Sequence, residues 1–169
     1  MEVKSITAFL AYYERTREIT CRVIELIPRD RLDFAYMPGK YSLADLVRHI
    51  AAIERNAFAE IVLGKRPAYK GCGKELADGY DAIMAYFHEM HRQSMEIVGA
   101  LQDDDLPKKI TALNGKEVEL GNFLRALIVH EIHHRAALCL YLNMLQIQTP
   151  PVLGLTAEQV MQLGETQNN

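Results

Sequence analysis

The sequence predicts an all-α protein, a four-helix bundle filling a single domain over residues 1–169. Two observations carry this. Four long stretches repeat their apolar residues at helical spacing, and only one short segment alternates as a strand pair would. The chain is also long enough to bury a proper core in one piece.

The first helix is expected over about 4–27, with Ile6, Phe9, Leu10, Tyr13, Val23 and Ile27 at helical spacing and Pro28 as the stop. An irregular connector, RDRLDFAYMPGKYS, ends in Pro38-Gly39 turn chemistry. Ser42, with Asp45 three residues on, spells a capping box. From it a second helix runs to about Leu63, turning Leu46, Val47, Ile50, Ile53, Ala57 and Ile61 inward. GKRPAYKGCGK reads as loop. A third helix follows over about 76–100, through Ile83, Met84, Phe87, Met90 and Met95. KKITALNGKEVEL fits a small hairpin turning at Asn114-Gly115. The fourth helix covers about 120–146, Thr149-Pro150-Pro151 breaks the chain, and TAEQVMQLG can form a short terminal helix.

Composition narrows the class. Apolar residues make up 49% and charged residues 24%, as in ordinary soluble domains. Net charge is -3 with no long block of either sign, so neither nucleic acid nor an anionic membrane is expected as partner. No apolar run is long enough to span a bilayer, and the N-terminal stretch lacks an apolar signal core. Cys21, Cys72 and Cys139 have no CxxC spacing, which fits free thiols and a cytoplasmic setting.

The densest chemistry is HEIHH, His130 to His134, which holds three of the six histidines. On a helix, residues four apart stack on one face, so His130 and His134 can aim at one point. Converging imidazoles pack poorly and ligate metals well. On the apolar stripe of this helix, His134 lies within, His130 at the margin, and His133 points away. Glu131 falls near the stripe centre, where an unpaired carboxylate is costly, so it should meet a cation, a hydroxyl or the metal site. Glu54 sits mid-stripe on the second helix in the same way.

HEIHH also spells the H-E-x-x-H peptidase motif. Downstream of His134, however, the sequence offers no further His and only Glu158 and Glu165 as carboxylates. The strands that such peptidases use to hold peptide are missing from the pattern, which makes a metallopeptidase the least favoured reading. In a bundle the third ligand comes from a facing helix. His49, His88 and His91 are the candidates, and periodicity does not choose between His49 and His91. The bland reading of His88, His91 and His133 is a hydrogen-bonded or solvated side chain. Met84, Met90, Met95 and Met144 read as core filling.

MPGKYSLADLVRHIAAIERN resembles the second-helix signature of the DinB-like superfamily, the DNA-damage-inducible, metal-dependent four-helix-bundle proteins. VHEIHHRAALCLYLNMLQIQTPP resembles its last-helix signature: two His four apart, then Arg, then a leucine-rich helix with a Pro-containing end. The likeness covers about residues 4–152. It departs where family members often carry Gly-Gln, since Arg135 is followed here by Ala136-Ala137.

The resemblance implies an up-down-down-up bundle, common homodimers, and a metal triad of His49, His130 and His134. Three neutral imidazoles leave coordination positions open, the mark of a catalytic site. One divalent transition metal is expected, Zn, Ni or Fe by ligand type. Two activities follow: a metal-dependent hydrolase, or a transferase acting on a small-molecule substrate with a low-molecular-weight thiol. Glu131 and Glu54 are candidates for proton transfer or for a supporting role behind the ligands. The alternative is a stress-response protein that binds metal or a small ligand without turnover.

Overall fold

The computed structural model describes residues 3–151 and 154–166. Helix α1 spans Ile6–Ile24 and starts at Ser5, whose hydroxyl accepts from Ala8 N–H. It is shorter than its apolar pattern suggests. Past Ile24 the bonds tighten, with Leu26 and Ile27 donating to Val23 and Ile24, before Pro28. Helix α2 spans Leu43–Ile53 behind the expected capping box, with Asp45 N–H on Ser42 Oγ at 3.1 Å and Ser42 N–H on Asp45 Oδ2 at 3.0 Å. Two more of its free N–H groups are satisfied by the connector, Leu43 by the Phe34 carbonyl and Ala44 by that of Leu32.

The rod does not continue as a regular helix. Glu54–Ala59 forms a π-helical turn, and α3, Glu60–Val62, completes it. Helix α4, Tyr80–Gly99, begins later than expected because Gly79 takes φ 82°, and the Ala77 carbonyl is engaged by Arg48. Strands β1, Lys109–Thr111, and β2, Glu117–Glu119, pair antiparallel across the Asn114-Gly115 turn, where Gly115 has φ 78°. Helix α5 is Leu120–Met144 and α6 is Ala157–Thr166. Met144, expected in the core, lies half exposed near the end of α5. Among the described residues no helix is long and apolar enough to cross a membrane.

Contacts fix the helix directions. Ile6 N–H reaches Asp103, just past α4, and Arg29, just past α1, pairs with Asp81 at the start of α4. So α1 and α4 are antiparallel. Arg48 Nη1 meets Ala77 ahead of α4, and Glu54, further along the same rod, meets His91 in the middle of α4, so α2 and α4 run parallel. Phe58 stacks on Phe123 early in α5, while His49, earlier in its own rod, meets His130 and His134 further along α5. These two rods are therefore antiparallel. Arg135 bonds the Thr16 carbonyl, and α1 packs along α5. The result is an all-α bundle in the expected up-down-down-up order.

The core has two apolar halves. One is built from Val23, Ile24, Leu46, Val47, Ile50, Phe87, Leu138 and Leu142. The other is built from Phe9, Tyr13, Phe58, Ile61, Val98, Phe123, Leu124 and Leu127. Between them lie buried polar groups from four elements: Thr16, Arg17 and Thr20 from α1, Glu54 from the π turn, His91 and Ser94 from α4, Glu131 and Arg135 from α5. The histidines of interest sit at the level of this polar layer, on the α2–α5 side.

Candidate metal centre

Antiparallel packing of α2 on α5 brings His49 against the pair on adjacent turns of α5. One nitrogen each from His49, His130 and His134 lies within 4.8 Å of the others. Ring centroids are 4.5 Å apart for His49–His134 and His130–His134, and 5.1 Å for His49–His130. His49 Nε2 and His130 Nε2 approach to 3.2 Å. Two nitrogens bound tetrahedrally at about 2.05 Å from one ion stand about 3.3 Å apart, so this spacing suits a shared cation. The donor set fits the metal that three imidazoles imply. All three rings are partly exposed, so the site opens to solvent.

The electrostatics agree with the geometry. Burial pushes all three imidazoles below their ordinary range, and for His130 and His134 neighbouring imidazoles push the same way. His130 is held down to about 3 and His134 to about 4. The rings are thus neutral at neutral pH, the form that ligates. Phe58 lies beside His130, and Tyr41 and Tyr69 flank His49 at 5.4 and 5.6 Å. The mouth of the site is aromatic.

The other histidines go elsewhere. His133 is exposed, with its ring 4.9 Å from that of His134, and His88 is exposed on α4. His91 is buried in the polar layer, on the α1–α4 side. Its Nδ1 lies 2.7 Å from Glu54 Oε1 and its Nε2 2.8 Å from Glu14 Oε2. Both nitrogens therefore donate to carboxylates, which is the protonated form. Burial opposes this charge, but the two carboxylates prevail and raise the imidazole above its ordinary value.

Glu54 and Glu131 are both fully buried, and Arg17 joins them. Arg17 Nη2 bonds Glu54 Oε2 and Tyr13 Oη, and lies 2.9 Å from Glu131 Oε2, off the N–H direction. The guanidinium carbon stands 4.2 Å from the centre of the Phe87 ring. Burial raises the Glu54 carboxyl, but Arg17 and His91 outweigh it and hold it below the usual carboxylate range. Glu131 thus meets a cation, as its place on the apolar stripe demanded. Neither carboxylate belongs to the converging group at the histidines.

Sequence reading did not single out Arg17, Tyr69 or Arg48. Arg17 falls on the buried face of α1, and its position there was the available signal. Tyr69 lies in an irregular loop, where no periodicity exists to place it.

A family model described as the DinB superfamily matches residues 12–138. No curated protein matches the chain. Several solved structures share the fold, two of them DinB-like proteins. A DinB-like protein from Bacillus cereus ATCC 10987 is 18% identical, with a TM-score of 0.74 over 88% of this chain and 97% of that one. A DinB-like protein from Bacillus subtilis, YjoA, is 20% identical, with a TM-score of 0.68 over 85% of this chain and 95% of that one.

Proposed function

The chain belongs to the DinB superfamily, and from that premise we propose that it holds one divalent transition metal on His49, His130 and His134 and uses it on a small-molecule substrate. The observation that carries the proposal is the convergence of three neutral imidazoles at a solvent-reaching position on a rigid bundle. A cation there supplies Lewis-acid polarisation and lowers the pKa of a water or thiol that joins it.

The rest falls to the chain's own residues. The three rings would hold the cation from one side, and Tyr41 and Tyr69 present aromatic surface to a small substrate. Of the two roles open to Glu54 and Glu131, the ion pairs with Arg17 favour support over proton transfer. They hold the polar layer together at the level where α2 and α5 carry the ligands. Within this reading we favour hydrolysis or transfer of a low-molecular-weight thiol.

The test is elemental analysis of the purified protein, followed by turnover assays on metal-loaded samples. Near-stoichiometric zinc, nickel or iron is expected, with metal-dependent ester hydrolysis or thiol-dependent loss of a generic electrophile. Metal uptake without either activity would assign the chain to the binding-only alternative. No tight metal uptake would end the proposal. Casein should remain intact, since the described residues form no sheet edge that could take a peptide beyond one three-residue hairpin.

We further propose a homodimer. The outer face of α5 exposes Val129, Ile132 and Leu140, at 59, 39 and 56%, along a stretch of about three turns. Val129→Glu with Leu140→Glu should turn a sedimenting dimer into a monomer without loss of helix content. A wild-type chain that sediments as a monomer at tens of micromolar overturns this.

A further inference from the structure

The loop between α3 and α4 is irregular, yet it is pinned at three points around one tyrosine. Ala68 N–H donates to the Asn56 carbonyl in the π turn at 2.6 Å. Arg48 Nε donates to the Cys72 carbonyl at 2.7 Å and its Nη1 to the Ala77 carbonyl at 3.0 Å. Arg48 is 1% exposed, held by Asp45 at 2.6 Å, and it immediately precedes His49 in the chain. Between these anchors the Tyr69 hydroxyl lies 2.8 Å from His49 Nδ1, with the two rings edge to face.

We infer that Tyr69 is a positioning residue: its oxygen accepts the Nδ1 hydrogen of His49 and keeps the Nε2 lone pair of that ring turned toward His130 and His134. This deepens the metal reading and rests on it for its consequence. The direction of the bond follows from which nitrogen faces the triad: His49 Nε2 lies 3.2 Å from His130 Nε2, so a ligating ring carries its hydrogen on Nδ1. The Tyr69 oxygen then accepts that hydrogen across 2.8 Å. That chain of contacts leaves the His49 Nε2 lone pair facing His130 Nε2, 3.2 Å away.

The alternative chain, with Tyr69 donating to Nδ1, would place a hydrogen on His49 Nε2 and block ligation. His130 lacks such support: its Nδ1 is buried without a hydrogen-bond partner among the described residues. The tautomer of His49 is therefore set from outside the triad, as ligand histidines are commonly set by a partner on the far nitrogen.

Two measurements on Tyr69→Phe decide this. In metal-free protein at pH 8, long-range nitrogen–proton correlation of the imidazoles should show His49 as the Nδ1–H tautomer, with Tyr69→Phe shifting it toward Nε2–H. Zinc affinity, by competition with a chromophoric chelator, should fall roughly 10–100-fold in Tyr69→Phe. The metal-free melting temperature should stay within a few degrees of wild type, which separates positioning from general loss of structure. An Nε2–H tautomer in wild type, or a variant with unchanged tautomer and unchanged zinc affinity, overturns the inference. If wild type takes up no zinc, the metal reading fails by itself, and the tautomer measurement still decides the role of Tyr69.

Discussion

Alanine in place of His49, His130 or His134 is expected to abolish tight metal retention, with affinity falling by roughly 100-fold or more. The remaining two imidazoles cannot complete a stable site, whether both sit on α5 or one sits on each rod. His88→Ala and His133→Ala should leave metal content unchanged, because both side chains are exposed and outside the converging group. Elemental analysis after dialysis reads the result. Wild-type metal content in any one of the triad variants would sink the assignment. Metal removal from wild type should lower the melting temperature without unfolding the chain, since the two apolar halves of the core persist without it.

The same site predicts an unusual pH response. An ordinary imidazole competes for protons below about 6.5, whereas His130 and His134 stay neutral down to about 3 and 4. Zinc affinity should therefore change little between pH 8 and about 5.5. The sign for stability runs the other way. Folded values lie below the unfolded one, so these groups cost nothing above about pH 6.5. As pH falls below it, the unfolded chain takes up protons that the folded chain refuses, and the metal-free protein loses stability. Zinc affinity dropping steeply from pH 7 to 6 would contradict the neutral-triad geometry.

Arg17→Met should produce the largest loss of stability, about 3–5 kcal/mol, because it leaves Glu54 and Glu131 buried without their shared cation. For a domain of this size that is a fall of roughly 10 °C in melting temperature, and outright unfolding is within range of an ordinary total stability. Adding Glu54→Gln and Glu131→Gln should restore much of it, because the uncompensated charges then disappear with the guanidinium. A melting temperature within about 2 °C of wild type for Arg17→Met alone would show that the ion pairs contribute little. His91 adds a pH term of opposite sign to that of the triad. Its folded value is raised, so its contribution is complete below the unfolded value of about 6.5 and is lost as pH rises through the folded value. His91→Gln should flatten the alkaline side of the stability curve.

The helices, the Ser42–Asp45 cap, the Asn114-Gly115 hairpin and the His130/His134 pair were all legible from sequence. Each is decided within one or two turns of chain, where spacing converts directly to geometry. The resemblance to the DinB-like family, and not periodicity, singled out His49. The boundaries that moved did so for tertiary reasons: α4 starts at Tyr80 because Gly79 turns there and Arg48 engages the Ala77 carbonyl.

By itself, then, the sequence determined an all-α bundle and an i,i+4 imidazole pair on its last long helix. It also required that Glu54 and Glu131 find partners, since both fall on buried stripes. Only the tertiary structure decided what those partners are. Periodicity does not choose between His91 and His49, yet one bridges Glu14 and Glu54 while the other joins the pair on α5. The π turn at Glu54–Ala59 and the anchoring of Tyr69 are equally absent from any local pattern. The physical reason is the same in each case. Periodicity says which face of a helix is buried, but the level at which one helix meets another depends on packing between residues far apart in the chain.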